Sequence, residues 1–281
     1  MRVADVRPVV HLHDAALRFG ERTVWSGLDF DVAPGEFIAV LGPNGSGKTS
    51  LLKVLLGLQR LTSGVVEVLG SAPSRGNKMV GYVPQQKGFD RDLPLRGRDL
   101  VALGLDGHRW GIPLPSRARR GRVDAALADV GAQRYAKAAV GRLSGGEQQR
   151  LRMAQALLGD PGLLLCDEPL LSLDLHHQRV ITELVDRRRR EHGTAVLFVT
   201  HEVNPVLPLV DRVLYLAAGR WASGAPEEVL TSERLSALYG TTVEVVRVGG
   251  RFIVAGAPDA VHAEPGGSHH HPDDSASAIL R

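Results

Sequence analysis

Gly42–Thr49 reads GPNGSGKT, a run whose residue types suit the holding of phosphate. Gly42, Gly45 and Gly47, with Pro43, Asn44 and Ser46 between them, free the backbone to turn successive N–H groups toward β- and γ-phosphate oxygens. Lys48 adds a point charge, the Thr49 hydroxyl is a Mg²⁺ ligand, and Ser50 continues the run. Leu163–Glu168 reads LLLCDE, so an apolar stretch delivers Asp167 where a carboxylate can hold Mg²⁺ or its water shell. Glu168 can orient and polarise an attacking water. Leu143–Gln148 reads LSGGEQ: Ser144 is placed to cap a helix, and Gly145 and Gly146 leave its first N–H groups bare for an anion. Ser144 with Glu147 also reads as an ordinary capping box, which explains the helix start but not the paired glycines.

These residues need elements to bring them together. Phe37–Leu41 (FIAVL) is an apolar run of the buried-strand type directly ahead of the glycine loop, and Thr49–Leu58 follows with helical spacing. Strand, glycine loop and helix is the context a phosphate loop needs, with the helix's positive end aimed at the anion. Val9–Leu17 and Leu28–Val32 predict a small antiparallel sheet, the second run closing at Pro34-Gly35. Leu163–Cys166, Thr194–Val199 and Val213–Leu216 read as buried strands alternating with helices at Gly145–Leu158 and Gln178–Asp186. That alternation predicts a mainly parallel sheet covered on both faces. Residues from about 86 to 140 hold several glycines and prolines and a helical stripe at Arg122–Val130, a mostly helical insert. Glu227–Tyr239 reads as one helix entered at Pro226, and Val243–Val248 and Arg251–Ala255 flank Gly249-Gly250, a hairpin signal.

The chain has 281 residues, 43% hydrophobic and 23% charged, which suits one large domain or one domain with lobes. No apolar run approaches the roughly 18 residues that would span a bilayer. The Met1–Pro8 start is polar with no signal core, and Cys166 is the single cysteine, so an intracellular setting without a disulfide framework is expected. The net charge is +3, and the basic runs Arg117–Arg122 and Arg187–Arg190 read as solvated helix faces; no nucleic-acid partner is expected.

LSGGEQ resembles the signature motif of ABC (ATP-binding cassette) ATPases, and the rest of that family's pattern follows in order. Gln85, in Tyr82–Gln85 (YVPQ), resembles the Q-loop glutamine that touches Mg²⁺ and reports nucleotide to a permease. Ser172–Asp174 (SLD) matches the D-loop, and His201 matches the switch histidine that contacts the γ-phosphate. Phe19 sits where the family has an aromatic residue stacked on adenine, although tyrosine is commoner there. Cys166 departs from the usual aliphatic residue and is expected to be a small buried hydrophobe.

The resemblance spans roughly Val9 to Ala255 and implies an α/β fold, a P-loop NTPase (RecA-like) ABC cassette with an N-terminal antiparallel β subdomain and a helical subdomain. Its implied layout is an ATP-binding domain at 1–257 with a helical subdomain at about 86–158; the turn signal adds a hairpin at about 242–256, and the Ala-, Pro-, Gly-, Ser-, His- and Asp-rich composition of 258–281 predicts a disordered tail. The resemblance implies ATP and Mg²⁺, with Glu168, His201 and Gln85 catalytic and Thr49, Gln85 and Asp167 around the metal. Ser144, Gly145, Gly146 and Asp174 join the nucleotide site in a head-to-tail homodimer, Ser144 and Gly146 reaching the ATP held by the other chain. Integral membrane permease subunits are the implied partners, and the cytoplasmic face of the membrane is the implied location.

Importer, exporter and soluble ABC ATPases remain open. The stretches 90–104, 200–210 and 235–256 resemble the ATPases of zinc and manganese importers, which also work with an extracytoplasmic metal-binding protein. In the tail, His262, His269, His270 and His271 lie among Asp259, Glu264, Asp273 and Asp274. Such a segment can bind Zn²⁺ or Ni²⁺, or be a polar low-complexity tail with no role.

Overall fold

Phe37–Leu41, Leu163–Asp167 and Ala195–Val199 are buried at every position, as strands covered on both faces must be. The computed structural model describes residues 7–85, 88–107, 116–171 and 173–256. β1 (Val10–Phe19) and β2 (Arg22–Val32) pair antiparallel, and β3 (Phe37–Leu41) leads through the glycine loop into α1 (Lys48–Leu55). β4 (Ser63–Val68) returns to the free side of β1, and β5 (Val80–Val83) follows. Next come α2 (Gly97–Asp106), α3 (Arg117–Asp129) and α4 (Gly145–Leu158), which pack on one another ahead of β6 (Leu163–Asp167). α5 (Leu175–His192), β7 (Ala195–Val199), β8 (Arg212–Ala217) and β9 (Arg220–Gly224) complete the core. Two short helices, α6 (Pro226–Val229) and α7 (Ser232–Tyr239), precede a hairpin of β10 (Glu244–Val248) and β11 (Arg251–Ala255).

The main sheet runs β5-β6-β7-β3-β8-β9, parallel throughout except for the last pair. Alternation along β3 sends Phe37, Ala39 and Leu41 into one core with Phe198, Leu151 and Ile181. Ile38 and Val40 enter the other, with Leu51, Leu55, Trp25 and Phe30 of α1 and the β2-β1-β4 sheet. The mainly parallel sheet and the antiparallel opening agree with expectation, as does the hairpin, whose Gly249 and Gly250 both take the positive φ its tight turn needs.

Three features differ from expectation. The helix after the glycine loop stops at Leu55, because Gly57 adopts a left-handed conformation two residues later. The segment 227–239 is two helices: Thr231 breaks it by turning its hydroxyl to accept the Arg234 N–H, the N-cap of α7. The basic run on α5 is only half solvated. Arg189 is 14% exposed and donates to Asp186, to the Gly35 carbonyl and to Asp211, whose carboxylate also accepts the Phe37 N–H. It thereby fastens the end of α5 to the starts of β3 and β8, whereas Arg190 is 67% exposed with one ion pair to Asp186.

This contrast sets a test. Arg189→Ala is expected to destabilise the chain by about 1–2 kcal/mol, because it takes a donor from the largely buried Asp186, from the half-exposed Asp211 and from the Gly35 carbonyl. Arg190→Ala is expected to cost about 0.5 kcal/mol or less. Urea unfolding of both variants checks the difference.

Candidate functional site

β3 ends at Leu41, and the loop beyond it is hemmed in on both sides. A Cβ on Gly42 (φ 139) would lie 2.0 Å from the Leu216 carbonyl oxygen, and one on Gly47 (φ 96) would lie 2.3 Å from Val24 Cγ1. Only glycine permits this path. α1 then starts with no side-chain cap and no acidic residue in its first turn, so its leading N–H groups are left for an anion. Ser46 Oγ is buried with no hydrogen-bond partner. Lys48 is buried too, and its Nζ donates to the carbonyls of Gly42 at 2.7 Å and Pro43 at 2.9 Å. Burial lowers the lysine's pKa, opposed by the charges of Glu168 and Asp167. An orphaned hydroxyl, an uncapped helix start and a buried cation together fit a bound polyphosphate.

The carboxylates arrive from β6. Asp167 is buried at the strand's end, and its Oδ1 accepts a 3.2 Å hydrogen bond from the Thr49 hydroxyl. Burial raises its pKa, the Thr49 bond opposing that rise and the Glu168 charge adding to it. A hydroxyl beside a carboxylate is a hard-oxygen pair that fits Mg²⁺. Glu168 follows in a left-handed conformation (φ 50) while its N–H still donates to the Val199 carbonyl at 3.0 Å. Such a turn costs a non-glycine residue about 1–2 kcal/mol and is characteristic of functional sites.

That turn swings the Glu168 carboxylate, 12% exposed, between two other strand ends. Gln85, beyond β5, donates Nε2 to Oε2 at 3.0 Å, and His201, beyond β7, sets Nδ1 3.7 Å from Oε1. A cleft of about 580 Å³ opens over Gly42, Asn44, Gln85, Glu168 and His201. Asn44, Gln85 and Glu168 also line a second cleft of about 360 Å³ with Gly45, Gly47, Lys48, Thr49 and Ser50. Phe19, half exposed, stands on the wall of that second cleft.

Other expected residues lie elsewhere. Ser144, Gly145 and Gly146 begin α4, with Ser144 and Glu147 in a reciprocal capping box, and line neither cleft. Asp174 caps α5; the His177 N–H at 2.9 Å, joined by the His177 ring, holds its carboxyl below the usual range. It too lies outside both clefts. Cys166 is fully buried, and burial pushes its thiol up, out of reach of redox chemistry. Ser172 and the tail histidines 262 and 269–271 lie outside the described residues.

Two contributors had no signal in the residue spacing. Arg22 reaches from β2 to donate to the Gly45 carbonyl at 3.0 Å and lines the smaller cleft. Asn204, three residues past His201, donates to the Phe252 carbonyl and accepts the Phe252 N–H, both at 2.9 Å. It clamps the loop carrying His201 to β11.

Sequence comparison places this geometry among known proteins. The ABC transporter family profile matches residues 25–171. The chain is 38% identical to the zinc import ATP-binding protein ZnuC of Paramagnetospirillum magneticum, over 84% of each chain. It is 33% identical to the manganese transport system ATP-binding protein MntB of Halalkalibacterium halodurans, over 83% of this chain and 93% of that one. Among solved structures, an inward-facing transporter described as metal-chelate type superposes with a TM-score of 0.73 at 27% identity, covering 88% of this chain and 96% of the other. A dimeric ATP-binding cassette bound to ADP and Pi gives 0.67 at 27% identity, over 77% and 98%.

Asn204→Ala is expected to lower the maximal rate of nucleotide turnover several-fold with little change in KM, because it frees the His201 loop without touching the phosphate loop. Steady-state kinetics on the variant checks that split.

Proposed function

Because this chain belongs to the ABC transporter family, we propose that it hydrolyses ATP to drive import of a divalent metal, zinc or manganese, through membrane permease subunits. The observation that carries the ATPase reading is the gathering of Gln85 and His201 around the Glu168 carboxylate, beside Lys48 and Thr49. The names of the zinc and manganese relatives support the metal.

In this reading the phosphate loop and α1 hold the β- and γ-phosphates through backbone N–H groups, and Lys48 turns its ammonium from the Gly42 and Pro43 carbonyls onto them. Thr49, Asp167 and Gln85 would hold Mg²⁺, which supplies charge neutralisation. Glu168 orients the attacking water, and His201 faces the γ-phosphate across the cleft. Phosphoryl transfer asks little covalent work of the protein, so these fixed charges and dipoles carry the rate. Phe19 takes adenine on the outer wall.

The cleft of one chain lacks the LSGGEQ segment, which supports a head-to-tail dimer. The start of α4 from a second copy, with Ser144, Gly145 and Gly146, then closes over the nucleotide, and Asp174 lies at the junction. The relative solved as a dimer with ADP and Pi supports a dimer in general. Among the described residues no helix is long and apolar enough to cross a membrane. The helices of 86–158 are read as the subdomain that receives the permease, at the cytoplasmic face, with an extracytoplasmic metal-binding protein beyond it. The tail histidines 262 and 269–271 are read as a metal-binding segment.

Glu168→Gln is expected to keep ATP binding while turnover falls at least about 100-fold. Lys48→Ala is expected to weaken ATP binding itself, through loss of a charge-assisted contact. Nucleotide binding and phosphate release measured side by side check both, and wild-type turnover in Glu168→Gln would remove that residue from its role. For the metal, total Zn, Mn and Fe are measured in cells lacking the chain, grown in metal-limited medium and rescued with wild type or Glu168→Gln. One metal should fall, and only wild type should restore it; unchanged levels of all three would defeat the import reading.

A further inference from the structure

β1 carries histidine at two alternate positions, His11 and His13, so both imidazoles leave the same face of the sheet. Each is oriented by a carboxylate of β2. His11 Nδ1 lies 2.6 Å from Asp31 Oδ1, and His13 Nδ1 lies 2.7 Å from Asp29 Oδ1. The Asp29 carboxylate is itself fixed by the Asp14 N–H at 2.9 Å. The two rings are parallel within 7°, with centroids 6.4 Å apart. In the neutral imidazole, with Nδ1 donating its proton to a carboxylate, Nε2 keeps its lone pair. Metal-ligating histidines share this arrangement, in which a carboxylate on the second nitrogen fixes the tautomer and raises ligand basicity. Here it occurs twice, side by side, on a rigid strand.

We propose that His11 and His13 form a two-imidazole site for Zn²⁺, with Asp31 and Asp29 as positioning residues behind the two ligands. Two imidazoles meeting one zinc at the tetrahedral angle, with bonds of about 2.1 Å, have centroids roughly 5 Å apart. Both Nδ1 atoms face β2, so the rings must close by about 1 Å and also turn their Nε2 atoms toward each other, a side-chain rotation. Both have room for it, being 41% and 69% exposed beside a groove of about 390 Å³. Among the described residues no group of three or more His, Cys, Asp or Glu side chains is placed to hold one metal ion together, so water completes the coordination in that groove. The neighbouring charges leave the site hospitable to a cation. Glu67 stands opposite His11 on β4 and pairs with Arg7, while Arg212 in the groove is engaged by Glu36. The site lies toward the far end of β1 from Phe19, roughly 20 Å away along the strand at about 3.3 Å per residue. It needs no permease and does not rest on the import reading.

Calorimetric titration of the full chain with ZnCl₂ tests this, comparing wild type with the double variants His11→Gln/His13→Gln and Asp29→Asn/Asp31→Asn. The histidine variant should bind one zinc equivalent fewer, and the aspartate variant should keep that equivalent at about 10–100-fold weaker affinity. Zinc held by the tail or the nucleotide cleft is common to all three proteins and cancels in the comparison. ATP turnover and far-ultraviolet dichroism should be unchanged, which separates loss of the site from loss of the fold. Equal stoichiometry and affinity in wild type and the histidine variant would overturn the site. Undiminished affinity in the aspartate variant would overturn the role given to Asp29 and Asp31.

Discussion

Parallel pairing of β5, β6, β7 and β3 is the constraint on which the site depends. Four neighbouring strands running the same way end at one edge, and each hands over a different group there: Gln85, Asp167 with Glu168, His201, and the phosphate loop. Register sharpens the convergence. Asp167 is level with Val199, and Val199 with Val40, so the carboxylate and the loop leave the sheet within about one residue of each other. The Thr49–Asp167 hydrogen bond closes the gap between them. Ligands of open α/β sheets lie beyond the carboxyl ends of the strands for this reason.

Burial gives that edge its electrostatic character. It lowers the pKa of Lys48 and raises that of Asp167, so each charge is disfavoured alone and supported by the other's neighbourhood. A site of this kind holds its charges before substrate arrives, where they act more strongly than in water. The left-handed turn at Glu168 adds a mechanical element, since the N–H bond to Val199 keeps the backbone in the sheet while the side chain is redirected. Rigid support comes from the two cores that cover the sheet's faces.

Much of this was legible in the residues. FIAVL at Phe37–Leu41 and the Ser144-capped helix at Gly145–Leu158 take the bounds expected of them, because a fully buried run and a capping box are strong local signals. β4, β5 and β9 were not legible. They are only four to six residues long, and all three leave half or more of their residues partly wet, too short and too mixed a run to stand out. Arg189 shows the limit of reading charge runs: four arginines look alike in a row, and only the fold decides which ones find carboxylates. Asn204 likewise depends on Phe252, 48 residues away.

In the proposed mechanism the cleft from Lys48 to Glu168 is half of an ATP site, completed by the LSGGEQ segment of a second copy. Sedimentation velocity on the slowly hydrolysing Glu168→Gln chain, with and without ATP and Mg²⁺, tests it most directly. The expected result is a monomer without nucleotide and a dimer with it, the dimer being lost when Ser144→Arg is added. A chain that binds ATP yet stays monomeric at every concentration tried, or a dimer indifferent to Ser144→Arg, would contradict it.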